Sequence, residues 1–116
     1  MCGRFSLGID QTALAEHLNA LFGIEKLTFS HQPRYNIAPS QSMVAVIYDG
    51  QRYKAGYLSW GFVPKYLNHK NPDFKPINAR IESVYEKPYF KEAMHKNRCI
   101  IIADAFYEWQ RKDHDK

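Results

Sequence analysis

Residues 43–59 read MVAVIYDGQRYKAGYLS. Met43 to Tyr48 is an apolar run of strand length, Asp49-Gly50 is a dipeptide suited to a type I′ turn, and Arg52 to Ser59 supplies a returning partner. The segment predicts an antiparallel hairpin, so the core of this chain is organised around an antiparallel sheet.

Working outward toward the N-terminus, Gly3 to Leu7 is a short strand candidate. Asp10 is placed to cap a helix over Gln11 to Phe22, with Leu14, Leu18, Leu21 and Phe22 on one face and Gly23 ending it. Between Ser30 and Ser42, Pro33 and Pro39 interrupt any regular pattern, which predicts a shaped loop carrying the polar residues Arg34 and Asn36. Toward the C-terminus, Trp60-Gly61 leads into a basic, proline-punctuated loop that runs to Pro76, followed by Ile77-Asn78-Ala79-Arg80. Helical periodicity resumes from about Ile81 and again from Tyr89 to Lys96, with Pro88 marking a break or a fresh start. Arg98 to Ala103, with its Cys99-Ile100-Ile101-Ile102 run, predicts a fully buried strand, and a tight connection around Asp104 leads to a further strand from Phe106 to Gln110. The chain then ends in the polar run Arg111 to Lys116. That ending leaves an open sheet edge and predicts a chain that stops within a domain, to be completed by a further fragment or a second chain.

The 116 residues, 45% hydrophobic and 15% aromatic, are enough for one core and exclude a disordered tail. No stretch approaches the roughly 20 apolar residues of a membrane helix, and no apolar run follows the N-terminus, so the expectation is an intracellular protein with no membrane partner. Two cysteines, Cys2 and Cys99, argue against a disulfide framework. No CxxC or histidine spacing suggests a metal, and none of His31, His69, His95 and His114 reads as a ligand; each is expected at the surface. The net charge of +4 is uneven: Arg52 to Arg98 holds ten Lys and Arg against four Asp and Glu. Tyr53, Tyr57, Trp60, Phe62, Tyr66 and Phe74 are interleaved with those cations. That mixture suits a groove that pairs phosphates with cations and bases with aromatic faces, and it equally suits a solvated basic face over a core.

Cysteine at position 2 becomes the first residue when the initiator methionine is removed, and it then bears a free α-amine and a thiol on adjacent carbons. With reference pKa values of about 7.7–8.0 and about 8.5, both nucleophilic forms are accessible near neutrality. Against an aldehyde, the amine forms a Schiff base and the thiol closes a five-membered thiazolidine. Cys2 with Asn78, Glu108 and a histidine fits a thiol hydrolase as well, with a carboxylate or imidazole activating the sulfur. Glu108, beside Trp109 on an apolar strand, is either an edge-strand surface residue or a desolvated acid suited to proton transfer.

Taken together, Met1-Cys2-Gly3-Arg4-Phe5, Arg34-Tyr35-Asn36-Ile37-Ala38-Pro39, Trp60-Gly61-Phe62-Val63-Pro64, Ile77-Asn78-Ala79-Arg80-Ile81-Glu82 and Ala103-Asp104-Ala105-Phe106-Tyr107-Glu108-Trp109 resemble the successive motifs of the SRAP family, the SOS-response-associated peptidases. The resemblance implies an α+β fold, a curved, barrel-like antiparallel sheet with flanking helices, of which residues 1–116 are the N-terminal portion. It implies Cys2 at the floor of a positively charged cleft, covalent crosslinking to abasic sites in single-stranded DNA, no cofactor and a cytoplasmic, nucleoid-associated bacterial setting. Carried over, Cys2 is the nucleophile, Asn78 orients the reacting groups and Glu108 is the acid/base. Arg80 and Arg4 hold phosphates, Asn36 and Pro39 sit in the loop that shapes the cleft, Trp60 belongs to the motif preceding the DNA-facing loop, and Tyr66 contacts DNA after it. The sequence departs from the family at Tyr66-Leu67, where a pair of bulky aromatics is expected, and the family's later histidine motif has no counterpart in it; His114 does not match. Two other readings stay open: a thiol autopeptidase that removes Met1, and an inactive fragment that binds DNA through its basic middle.

Overall fold

The computed structural model describes residues 2–64 and 76–110. The order of elements is β1 (Phe5–Leu7), α1 (Gln11–Phe22), β2 (Arg34–Ile37), β3 (Ser42–Tyr48), β4 (Tyr53–Ser59), α2 (Pro88–Lys96), β5 (Ile100–Ile101) and β6 (Ala105–Phe106). The strands form two antiparallel three-stranded sheets, ordered β2-β1-β6 and β4-β3-β5. This is an α+β architecture, but the expected barrel is not closed among the described residues. Closure needs every outer strand paired, and β2 and β6 flank one sheet while β4 and β5 flank the other.

The hairpin forms as the sequence predicts, with one change at its tip. Register runs from Ser42 opposite Ser59 to Tyr48 opposite Tyr53, so Gly50 and Gln51, rather than Asp49 and Gly50, occupy the turn. Asp49 faces Arg52, its Oδ1 accepting from the backbone N–H groups of Gln51 and Arg52 at 2.8 and 2.9 Å. Those bonds, and the Lys54 ammonium 3.0 Å away, hold the Asp49 carboxyl well below the usual carboxylate range. Gly50 takes φ 99°, while Gln51 keeps a negative φ, which excludes the type I′ turn because that turn needs two positive values. Asp49 has traded its place at the tip for a cap on two backbone donors.

Helix α1 follows its local signals. Asp10 Oδ1 accepts from Ala13 N–H at 2.8 Å, and Gly23, at φ 70°, donates to the Asn19 carbonyl at 2.9 Å. Leu14 and Leu18 are fully buried and join Phe5, Leu7, Ile37, Met43, Val44 and Val46 in the core. Leu21, expected on the same face, is 71% exposed, since the last helical turn passes beyond that cluster. The segment read as a loop from Ser30 to Ser42 contains β2, bracketed by the two prolines. Its backbone is regular because it pairs with β1, a tertiary cause that local composition does not carry.

The C-terminal part departs further from expectation. Residues 81–86 form successive turns, and regular helix begins only at α2, with Pro88 in its first turn. The strand expected over Arg98 to Ala103 is two residues long, and Ile100 is 48% exposed, because β5 pairs with β3 on one side and lies at the sheet edge. The strand expected over Phe106 to Gln110 reduces to β6, with Trp109 99% exposed. Consecutive β5 and β6 belong to different sheets, and Asp104 is the joint between them. Its backbone N–H donates to the Ser6 carbonyl, and its carboxylate accepts from the Ser6 hydroxyl and, at 2.6 Å, from Gly8 N–H. These bonds hold the Asp104 carboxyl below its ordinary range.

His31, expected at the surface, is 4% exposed; its Nε2 lies 2.8 Å from the Ile9 carbonyl, and its backbone N–H donates to Gln11 Oε1. It ties the segment leaving α1 back to the start of that helix. No helix among the described residues is long and apolar enough to cross a membrane.

Candidate active site

Two features of the fold bring the chain start to distant residues. In the first, β6 lies antiparallel to β1 with Phe106 opposite Phe5, and Tyr107 N–H donates to the Arg4 carbonyl at 3.0 Å. Continuing that register sets Glu108 opposite Gly3, next to Cys2. In the second, the Asn78 side-chain amide donates to the Cys2 carbonyl at 2.9 Å. Cys2, Asn78 and Glu108 consequently line one open cleft of about 1020 Å³ between the two sheets. Cys2 is half-buried, with its thiol 3.5 Å from the Arg4 carbonyl. Asn78 is half-buried too, whereas Glu108 is exposed and engaged with a neighbour.

The character of the cleft differs from the cationic trough that the resemblance implied. Phe5, Met43, Leu58, Trp60, Val84 and Ile101 make its walls apolar, and Arg98 is the one basic side chain lining it among the described residues. Much of the basic middle stretch lies elsewhere: Lys54 pairs with Asp49 at the hairpin tip, and Lys96 lies 4.0 Å from Glu92 on α2. The stretch also includes residues 65–75, outside the described ones.

Arg4 opens instead onto a second recess of about 790 Å³, lined by Gly3, Arg4, Tyr35, Asn36, Tyr107, Glu108 and Trp109. Glu108 borders both cavities. Arg4 Nη1 donates to Asn36 Oδ1 at 3.0 Å, which orients the guanidinium; among the described residues its other N–H groups have no hydrogen-bond acceptor and could meet an oxyanion. Tyr107 contributes a bond that sequence reasoning did not anticipate: its hydroxyl donates to the Tyr35 carbonyl at 2.7 Å, clamping β2 to the segment that carries Glu108. Tyr35 and Tyr107 stand within the motifs quoted above, but nothing in their spacing announces that bond.

Pro39 is half-buried in the turn between β2 and β3, where Gln41 N–H donates to the Ala38 carbonyl at 3.1 Å. Trp60, just after β4, packs on Phe5, and its indole donates to the Ile77 carbonyl at 3.2 Å. Arg80 is exposed and does not line the main cleft, with its Nε 3.6 Å from Glu82. Tyr66 lies outside the described residues. Cys99 also lines the main cleft, and partial burial pushes its thiol up from the ordinary value, toward the less reactive protonated form. Among the described residues no group of three or more His, Cys, Asp or Glu side chains could hold a metal ion.

The comparisons with known proteins bear on this arrangement. The chain is 42% identical over 115 residues to the abasic site processing protein YoaM of Bacillus subtilis, covering 97% of this chain and 49% of that protein. It is 40% identical over 113 residues to YoqW of the same organism, at 97% and 50% coverage. It is 30% identical over 98 residues to the abasic site processing protein HMCES of Xenopus tropicalis, at 74% and 29%. The chain thus spans about half the length of the bacterial relatives it matches. No solved structure matches it. The profile of the SOS response associated peptidase family matches residues 1–116 from end to end, and the chain belongs to that family, SRAP.

Proposed function

We propose that this chain carries the reacting half of a protein that captures abasic sites in single-stranded DNA through Cys2. The observation that carries the reading is the 2.9 Å bond from the Asn78 amide to the Cys2 carbonyl, inside a cleft that Glu108 also lines. The names of the relatives, abasic site processing proteins, agree with it.

With Met1 removed, the Cys2 amine adds to the C1 aldehyde of the ring-opened deoxyribose, and loss of water leaves an imine. The thiol then adds to the imine carbon. A C–S bond forms, the C=N pair of electrons moves to nitrogen, and the thiol proton ends there, closing a thiazolidine with no oxidant required. Asn78 fixes the Cys2 main chain so that the amine and thiol share one approach. Glu108 delivers and removes the protons of ring opening and dehydration. Arg4, oriented by Asn36, receives a flanking phosphate, with Arg80 placed further along the strand. Asn36, Pro39, Trp60 and Tyr66 belong to the surroundings of the DNA path on this reading, and the setting is the bacterial cytoplasm. The apolar cleft walls, together with exposed Phe106 and Trp109, call for a covering segment, supplied by further chain or by a second chain.

Mass spectrometry after incubation with an oligonucleotide treated to excise uracil tests the proposal. The expected product is a heat-stable adduct that Cys2→Ala abolishes. An adduct that survives Cys2→Ala, or none from intact protein lacking Met1, rejects it.

A further inference from the structure

Ile77 to Arg80 has no regular secondary structure, so the backbone that carries Asn78 is held in place by contacts from elsewhere. Among the described residues two such contacts stand out. Phe62 N–H donates to the Pro76 carbonyl at 3.2 Å, and the Trp60 indole donates to the Ile77 carbonyl at 3.2 Å. The second acts on the residue immediately before Asn78. An indole N–H can only donate, and the half-buried Trp60 places that donor on the Ile77 carbonyl.

Trp60 is itself held from several sides. Its ring packs on Phe5 with centroids 5.5 Å apart. Its backbone exchanges two bonds with the turn before β3: Ser40 N–H donates to the Trp60 carbonyl at 2.9 Å, and Trp60 N–H donates to the Gln41 carbonyl at 3.0 Å. That turn is kept in an uncommon shape. Ser40 takes φ 74°, a left-handed conformation unfavourable for a residue with a side chain. The Gln41 side chain stabilises it by accepting from Ala38 N–H and from Arg34 Nη2, both at 3.0 Å. An unbroken run of contacts therefore leads from Arg34 through Gln41, Trp60 and Ile77 to Asn78 and the Cys2 carbonyl.

We propose that Trp60 is a positioning residue for the reaction at Cys2: its indole N–H sets the Ile77-Asn78 backbone so that the Asn78 amide meets the Cys2 carbonyl. The inference rests on the covalent-capture reading and gives Trp60 a role behind the reacting groups in place of a contact with DNA. The indole nitrogen faces a protein carbonyl, and the ring is half-buried against Phe5.

Two variants of the intact protein test it. Trp60→Phe keeps an aromatic ring against Phe5 without the N–H, and benzothienylalanine incorporated at position 60 keeps the size of the indole while replacing N–H by sulfur. Adduct formation is followed in single turnovers over a range of abasic oligonucleotide concentrations, with thermal melting in parallel and the Asn78 side-chain amide followed by 15N NMR. The expected result is a saturating rate lowered about tenfold, since small misplacements of reacting groups cost up to ~100-fold. The half-saturating DNA concentration stays within about twofold, the Asn78 amide resonance moves, and no further loss appears when Asn78 is already Ala. A raised half-saturation at unchanged saturating rate would make Trp60 a DNA contact and overturn the inference. So would losses that multiply with those of Asn78→Ala, or an unmoved Asn78 resonance. Failure of the unsubstituted protein to form any adduct overturns the capture reading and this inference together; an adduct with normal kinetics in both variants overturns this inference alone.

Discussion

The side-chain amide of Asn78 donates to the main-chain carbonyl of Cys2 at 2.9 Å, across 76 positions of sequence. The bond leaves the Cys2 thiol unengaged by Asn78 and acts on the backbone that bears it. Asn78→Ala should therefore lower the saturating rate of adduct formation by about tenfold or more while leaving DNA affinity nearly unchanged. Single-turnover kinetics with abasic oligonucleotide separate the two quantities, and a change in affinity alone would contradict the assignment.

Asp104 joins the two sheets through Ser6 and Gly8, and those donors hold its carboxyl below the ordinary value. A depressed folded-state pKa means that the stabilisation is fully present above the unfolded value of about 3.9 and is lost as the pH falls through the folded value. Asp104→Asn should destabilise the protein at pH 6 by about 1 kcal/mol, a figure kept small because the carboxylate is exposed. The deficit should shrink below pH 4, as read by urea melts of both proteins across that range.

Leu14 and Leu21 lie on one stripe of α1, yet Leu14 is fully buried and Leu21 is not. Leu14→Ala should cost about 2–5 kcal/mol, by lost transfer energy and a residual cavity. Leu21→Ala should stay within about 0.5 kcal/mol. Chemical denaturation of the two variants measures the contrast, and equal losses would show that the end of α1 is covered in solution.

Arg4 is oriented by Asn36 through a 3.0 Å bond. Arg4→Ala should weaken DNA binding and reduce the slope of log K against log salt by about 0.7, the single-strand value for one phosphate contact. Asn36→Ala should weaken binding less and leave the slope unchanged, because the guanidinium charge remains. Fluorescence anisotropy at several salt concentrations distinguishes the two outcomes.

Elements governed by neighbours in sequence are legible in the sequence itself. The Asp10 cap, the Gly23 stop and the hairpin expected over Met43–Tyr48 and Arg52–Ser59, which forms as Ser42–Tyr48 and Tyr53–Ser59, each depend on chemistry close in sequence. The turn between those strands shifted by one residue because the Asp49 carboxylate captured two backbone donors, an option that the Asp-Gly dipeptide itself leaves open. β2 is hidden in the sequence because prolines flank it and its hydrogen bonds go to β1; β5 and β6 are shorter than their apolar runs because such runs do not say how many residues find a partner. The burial of His31 is hidden for the same reason, since its Ile9 partner comes within reach only through the fold.

For the site, the residues at the chain start, around Asn78 and around Glu108 are legible as motifs in the sequence, and a cysteine at position 2 needs no fold to be noticed. Their meeting in one cleft, the clamp from Tyr107 to Tyr35 and the reach of Trp60 to Ile77 belong to packing. Hydrogen bonds act only within about 3 Å, and no linear spacing encodes which distant groups the collapse of the core will bring that close. Side-chain identity decided which chemistry this chain can attempt; the antiparallel seating of β6 on β1 and the bond from Asn78 decided that the groups stand together.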